Sequence, residues 1–281
     1  MVVDAHHHLW DLDVRDQEWI TGAAMAPIRR SFGIQDLKPL AAKAGVDATV
    51  VVQTVSVAEE TPELLAIAAE EALLAAVVGW VDLTADGVAE RLAELRELPG
   101  GEFLKGIRHQ VQGEPDPRWL CREDVRRGLR AVGAAGLAYE LLTLPSQLAA
   151  ATETVTALED VRFVLDHCSK PPVATGEIEP WASLIRDLAR RPNITSKLSG
   201  LVTEADWARW TLDDLRPYAD VVLAAFGPDR LMAGSDWPVC TLAGSYERVL
   251  ATADDLIKDL SPTEQHTVRA GTAQRVYGLT G

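Results

Sequence analysis

Short runs of β-branched and apolar residues alternate along the chain with longer Ala/Leu/Glu/Arg segments whose apolar positions recur at helical spacing. The runs predict strands at 2–6, 48–54 (ATVVVQT), 75–82, 103–109, 137–143, 161–168 (VRFVLDHC), 193–200 and 230–237. The segments between them predict helices at 36–45, 60–75, 86–98, 122–135, 146–158, 178–191 and 211–226, with two more at 244–259 and 262–276. Near-continuous apolar strands separated by amphipathic helices imply a parallel sheet covered by helices, and eight repeats of the unit point to a closed (β/α)8 TIM barrel. A doubly wound open sheet is the competing architecture. It would carry a glycine-rich turn after the first strand, where this chain has HHHLWD and no G-x-G-x-x-G.

Length agrees, because 281 residues with 47% apolar content can bury one large core, so residues 1–281 are read as a single domain. The 27 basic and 42 acidic residues give a net charge of −15, which repels phosphate backbones and anionic lipid surfaces, so no nucleic acid and no membrane are expected as partners. The amino terminus does not resemble a signal peptide, no apolar stretch reaches membrane-spanning length, and the three widely spaced cysteines suit reduced thiols. A cytoplasmic protein is expected, its oligomeric state open, a homo-oligomer included.

The histidines change the picture most. VVDAHHHLWD (2–11) places three of the six directly behind the first strand. Strand alternation turns His6 and His8 to one face and His7 to the other, so His7 is expected to be structural. Strand six closes with LDHC, supplying Asp166 and His167, and strand eight with GSDWP, supplying Asp236. At the carboxyl ends of barrel strands these groups can converge on one ion or substrate.

Each has a plainer reading as well. His167 can be read as a buried imidazole satisfied by backbone, Asp236 as a cap on the turn at Pro238, and Arg108 as a partner of Glu114 or Asp116. Gln53, Lys170 and Trp237, at or beyond strand ends, either reach substrate or only pack. Arg15, Gln17, Arg29, Arg30, Gln110 and Gln112, in loops, fit a hydroxylated or anionic ligand or plain solvent. Trp19, Trp80, Trp119, Trp181, Trp207 and Trp210 read as packing. Cys168 and Cys240 flank the site, but a thiol nucleophile needs a lowered pKa.

In order along the chain, DAHHHLWD, KGIRH followed by DPRWL, LDHCSKP, KLSGL and GSDWPVC resemble the amidohydrolase superfamily. The finer wording is similar to its amidohydrolase-2 branch, which holds sugar lactonases such as the L-fuconolactone and L-rhamnonolactone hydrolases and dicarboxylate lactonases. The resemblance implies that His6, His8, His167 and Asp236 are the catalytic set and that a lactone or sugar acid is the small-molecule partner. Opening a lactone needs an activated water and positive charge near the carbonyl oxygen. Asp236 suits the general base and acid, and the same four residues suit ligands to one divalent ion such as zinc, although the branch also resembles enzymes that work without a tightly held metal. Without a metal, the permanently charged Arg108 is the natural carbonyl polariser, with Gln53, Lys170 and Trp237 as further substrate contacts. A binuclear centre is not expected: Lys105 and Glu140 lie in the strands where a bridging ligand would stand, but only His109 and His266 remain, and His266 falls in the last helix. Two rival functions are a metal-dependent decarboxylase, which would release carbon dioxide, or hydratase of the same superfamily, and a barrel that binds sugar acids without turnover.

Overall fold

The computed structural model of the chain describes residues 1–279. Eight parallel strands run in the order β1 to β8: Val3–His7, Ala48–Val52, Leu74–Gly79, Leu104–His109, Ala138–Leu141, Arg162–Leu165, Ile194–Leu198 and Leu231–Ala233. Around them lie α1 (Ile34–Ala44), α2 (Glu60–Glu70), α3 (Val88–Glu97), α4 (Glu123–Ala134), α5 (Leu148–Ala157), α6 (Trp181–Ala189), α7 (Leu212–Phe226) and α8 (Tyr246–Leu256). This is the expected (β/α)8 barrel. Each predicted strand is present, but most stop earlier than the pattern suggested: β6 ends at Leu165 rather than 168, and β8 at Ala233 rather than 237. The predicted last helix is three pieces, α9 (Pro262–His266), a π-helical turn (Thr267–Gly271) and α10 (Thr272–Tyr277). Among the described residues no helix is long and apolar enough to cross a membrane.

Two apolar clusters account for the architecture. The larger fills the space between sheet and helices, with Val51, Val77, Ile107, Phe163 and Leu165 facing outward from the strands onto helix residues such as Leu65, Leu92, Leu129 and Ile185. The smaller occupies the lumen, where Val3, Ala5, Val50, Val52, Ala76, Val78, Ala138, Val164 and Met232 meet Ala270, Ala273, Val276 and Tyr277 of the final helical segment. Small and β-branched side chains fit the narrow interior, as barrel packing demands.

The seam between β1 and β8 is short, and it builds the site. Asp4 is fully buried and accepts from Ser235 N (2.8 Å), Ser235 Oγ (2.6 Å), Tyr246 OH (3.0 Å) and His6 N (3.2 Å), stitching the first strand to the last. Beyond β8, Asp236 N donates to His6 O (2.8 Å) and His8 N to Trp237 O (2.7 Å). Gly234 allows this closeness, since a Cβ there would lie 2.8 Å from His6 Cβ.

Candidate active site

A register slip in β1 lets one strand serve two purposes. Asp4 pairs with Thr49 but His7 with Val51, so one extra residue is accommodated between them. Val3 and Ala5 join the apolar lumen while His6 and His8 also reach lumen groups. His7 points the other way, as strand alternation predicts, and its Nε2 meets Thr49 Oγ1 at 2.9 Å. Burial pushes His7 down to about 3, so it is a neutral packing residue.

His6 Nε2 and His8 Nε2 stand 3.2 Å apart. Asp236 Oδ1 lies 3.4 Å from His8 Nε2 and 3.8 Å from both His6 Nε2 and His167 Nε2. His8 Nδ1 donates to Val52 O (2.7 Å), which leaves its Nε2 lone pair aimed at the common point. His167 Nδ1 meets Ser199 Oγ at 2.9 Å. Four groups from β1, the end of β6 and the end of β8 thus surround one point.

The backbone reaches this arrangement through left-handed conformations that cost about 1–2 kcal/mol per residue. His167, Cys168, Ser169 and Lys170 are consecutive non-glycine residues at φ of 50° to 57°, and Asp236 sits at 58°. Neighbours hold the turn. Trp181 Nε1 donates to Cys168 O (2.8 Å), Lys170 N to His167 O (2.8 Å), and Ser169 Oγ pairs with Thr143 Oγ1 (2.8 Å). Backbone strain of this kind clusters at active sites and ligand clamps.

Electrostatics set the charge states. Burial lowers His167 to about 4, against the pull of Asp236 and Asp166, and lowers His6 well below the ordinary range with help from Lys197. Burial alone would raise Asp236, but His167, His8 and Lys170 more than offset it, so its carboxylate stays ionised at neutral pH. Burial disfavours the thiolate at the two cysteines beside the site, pushing Cys168 up to about 12 and Cys240 also upward, and Cys168 Sγ donates to Lys197 O.

The point opens into a cavity of about 320 Å3 lined by His8, Arg108, His167, Lys170 and Asp236, by the polar Thr54, Gln110, Gln112, Thr203 and Glu204, and by Trp19, Met25, Leu142, Trp207, Val239 and Leu242. Trp19 and Trp207 pack against the core, as the sequence suggested, and also line this cavity. Their position on long loops was the available signal. Lys170 faces Glu204 across the cavity at 3.6 Å. Arg108 pairs with neither Glu114 nor Asp116: its Nη1 donates to Asp166 Oδ2 (3.1 Å) and its Nη2 to Gln53 O, while Glu114 binds His109 (2.7 Å). Gln53 and Trp237 lie outside the cavity lining. The Gln53 carboxamide is buried and donates to Arg108 O (3.1 Å), and Trp237 packs edge-on against Phe32 at 5.4 Å. Arg15, Gln17 and Arg29 are tied up inside their own surroundings, by Glu63, Trp19 Nε1 and Ile20 O respectively, and Arg30 lies over the Phe32 ring. Lys105 lines a separate cavity at the amino-terminal end of the barrel.

Beneath the four-residue point lies a charged group that sequence reading passed over. Lys197 Nζ contacts Glu140 Oε2 (2.6 Å), Asp166 Oδ1 (3.3 Å) and His6 Nδ1 (3.1 Å), and Tyr277 OH donates to Glu140 Oε1. A lysine on the inward parity of β7 was the only hint, and it stood inside a motif noted for its likeness.

The upper donor set suits zinc. Three imidazole nitrogens and a carboxylate oxygen are borderline ligands of the right kind, and bonds of about 2.0–2.2 Å at tetrahedral angles separate ligand atoms by about 3.3 Å. His6, His167 and Asp236 present donor atoms within 4.8 Å of one another, and His8 Nε2, 3.2 Å from His6 and 3.4 Å from Asp236 but outside that group, has to move toward His167 for all four to share one ion.

A parallel barrel with His-x-His behind its first strand, a histidine behind the sixth and an aspartate behind the eighth defines an amidohydrolase-type barrel. A family model described as Amidohydrolase matches residues 3–279, and the chain belongs to that family. It is 40% identical to a protein named L-fucono-1,5-lactonase from Burkholderia multivorans, over 99% of this chain and 96% of the relative, and 39% identical to one of the same name from Burkholderia ambifaria, over 99% and 95%. A crystal structure of an amidohydrolase from Burkholderia multivorans with bound zinc superposes with a TM-score of 0.93 at 38% identity, covering both chains completely.

Proposed function

We propose that this chain is a lactonase, an ester hydrolase that opens a sugar (aldono-) lactone. The observation that carries the reading is the convergence of His6, His8, His167 and an ionised Asp236 on one point at the floor of a cavity with aromatic and hydrogen-bonding walls. The full-length likeness to two proteins named L-fucono-1,5-lactonase supports the substrate class.

His6, His8, His167 and Asp236 would hold one zinc ion, which supplies a Lewis acid for the ester carbonyl and lowers the pKa of water. Asp236 takes the proton of the attacking water and returns it to the ring oxygen as the C–O bond breaks, giving a hydroxy acid that ionises and releases one proton to solvent. Neutral His167 does not compete for that proton. Lys170, balanced by Glu204, offers a cation to the carboxylate that forms. Gln110, Gln112 and Thr54 can bond ring hydroxyls, and Trp19 and Trp207 can stack on the sugar's apolar face.

A pH-indicator assay over aldonolactones and dicarboxylate lactones tests this directly. Acid release from at least one aldonolactone is expected, abolished by chelator and restored by zinc. Carbon dioxide release from an aromatic or sugar acid, without lactone opening, would replace the reading with that of a decarboxylase; full activity in chelator would leave the lactonase but remove zinc.

A further inference from the structure

His6 belongs to two clusters at once. Its Nε2 faces the point shared with His8, His167 and Asp236, while its Nδ1 faces downward to Glu140 and Asp166, three buried groups whose donor atoms lie within 4.8 Å of one another. That lower cradle has the composition of a divalent-cation site. It is filled by Lys197 Nζ, which stands 2.6 Å from Glu140, 3.1 Å from His6 and 3.3 Å from Asp166.

The fit is good in charge and imperfect in direction. Tyr277 takes the far oxygen of Glu140 and Arg108 the far oxygen of Asp166, so each carboxylate presents one oxygen inward. Two carboxylates against Lys197 and Arg108 sum to zero. Yet Asp166 Oδ1, fully buried, makes no aligned hydrogen bond: Lys197 Nζ stands 3.3 Å and His6 Nδ1 3.4 Å from it, and the ammonium lies closest to Glu140. A small spherical ion would satisfy all three donors equally.

We propose that the Lys197 ammonium is a built-in cation standing where a second divalent ion would otherwise bind, and that it holds this centre to a single metal point. It does so sterically and electrostatically, occupying the cradle and supplying the charge that would attract an ion. Without it, Glu140 and Asp166 face only Arg108, a net buried negative charge that is costly to leave unpaired. A zinc ion in its place, with His6 releasing its one proton to solvent and bridging through both nitrogens, returns the sum to zero. The count of one relies on the zinc-assisted reading of the upper point; the change in count does not.

The test measures zinc per chain by elemental analysis after dialysis, with thermal melts across a zinc titration, for the unmodified chain, Lys197→Met, and Lys197→Met with Glu140→Gln. Lys197→Met is expected to hold one zinc more than the unmodified chain and to gain melting temperature at zinc concentrations where the unmodified chain no longer responds. The double variant is expected to fall back to the unmodified count, because a neutral carboxamide in place of the Glu140 carboxylate binds zinc poorly. Recovery of Lys197→Met only from zinc-supplemented medium supports the proposal. It is overturned by an unchanged count in folded Lys197→Met, by an extra ion that survives in the double variant, or by failure of Lys197→Met to fold at any zinc concentration, since an ion able to replace the ammonium would restore it. An unmodified chain that holds no zinc would overturn the zinc reading of the upper point instead.

Discussion

The lower and upper halves of the barrel lumen are made by the same strands and obey opposite rules. Below, Val3, Ala5, Val50, Val78, Ala138 and Val164 close the interior with small apolar side chains that need no particular partner. Above, a residue or two further along the same strands, His6, Arg108, Glu140, Asp166 and Lys197 fill it with charge and imidazole, all fully or almost fully buried and each dependent on a named neighbour. The lower half is held by burial of apolar surface, which tolerates modest change. The upper half is held by pairing, and loss of one partner exposes the desolvation cost of the other. The fold therefore has a forgiving half and an exacting half, and changes at Asp236, Gly200, Val50 and Cys168 should separate them.

The largest effect belongs to Asp236. Asp236→Asn keeps the shape and the backbone bond to His6 O but loses the proton acceptor, and turnover should fall about 10³-fold, the usual worth of a placed acid–base group. Steady-state kinetics beside a thermal melt separates this from unfolding: the melting temperature is expected to fall only slightly, because the attractions of His167, His8 and Lys170 that more than offset burial of the carboxylate are lost with its charge. A loss of stability as large as the loss of rate would assign Asp236 to the seam between β1 and β8 rather than to chemistry.

Gly200 tests the exacting half at one remove. It sits at φ 70°, and a Cβ there would lie 2.7 Å from His167 Nδ1, the nitrogen that meets Ser199. Gly200→Ala adds about 1–2 kcal/mol of backbone strain and displaces His167 from the shared point; a misplacement of about 1 Å lowers kcat/KM about 10²-fold. Kinetics and a urea melt on one preparation would show the rate falling further than strain explains.

In the forgiving half, Val50→Ala removes two methyl groups from the lumen and should cost about 2 kcal/mol, with turnover unchanged. A urea midpoint shifted to that extent with kcat intact would confirm that the halves are energetically separate. A large fall in kcat would show that lumen packing fixes the height of His6.

Much of this was legible in the chain. Apolar runs, β-branched in most cases, marked all eight strands because barrel strands are buried on both faces, and the residues closing β1, β6 and β8 were the ones that meet. The turn conformations were not legible. VRFVLDHC reads as strand to its end, yet the chain leaves the sheet at Leu165 and passes through four left-handed residues without a glycine to announce them. Pairing at long range was equally hidden: the plainer alternative for Arg108 named the acids nearest in sequence, Glu114 and Asp116, whereas its partner, Asp166, is brought to it across the barrel from the end of β6. Gln53 and Trp237 sit at strand ends, but one supports Arg108 through its backbone and the other packs on Phe32, and only coordinates decide between facing a cavity and backing it.

The smallest expected effect lies next to His167. Cys168 follows His167 directly, and adjacency alone would invite a nucleophilic role. Its side chain turns away from the cavity, donates to Lys197 O at 3.3 Å, and its thiol is pushed up to about 12 by burial, so no thiolate is present at neutral pH. Cys168→Ala should cost about 1 kcal/mol for the lost sulfur packing and leave the rate of lactone opening where it was. Iodoacetamide should likewise leave the native enzyme active. Inactivation by the reagent, with substrate protecting, would place a reactive thiol at the mouth and reopen the assignment of the nucleophile to water; a silent Cys168 leaves Asp236 as the group that activates it.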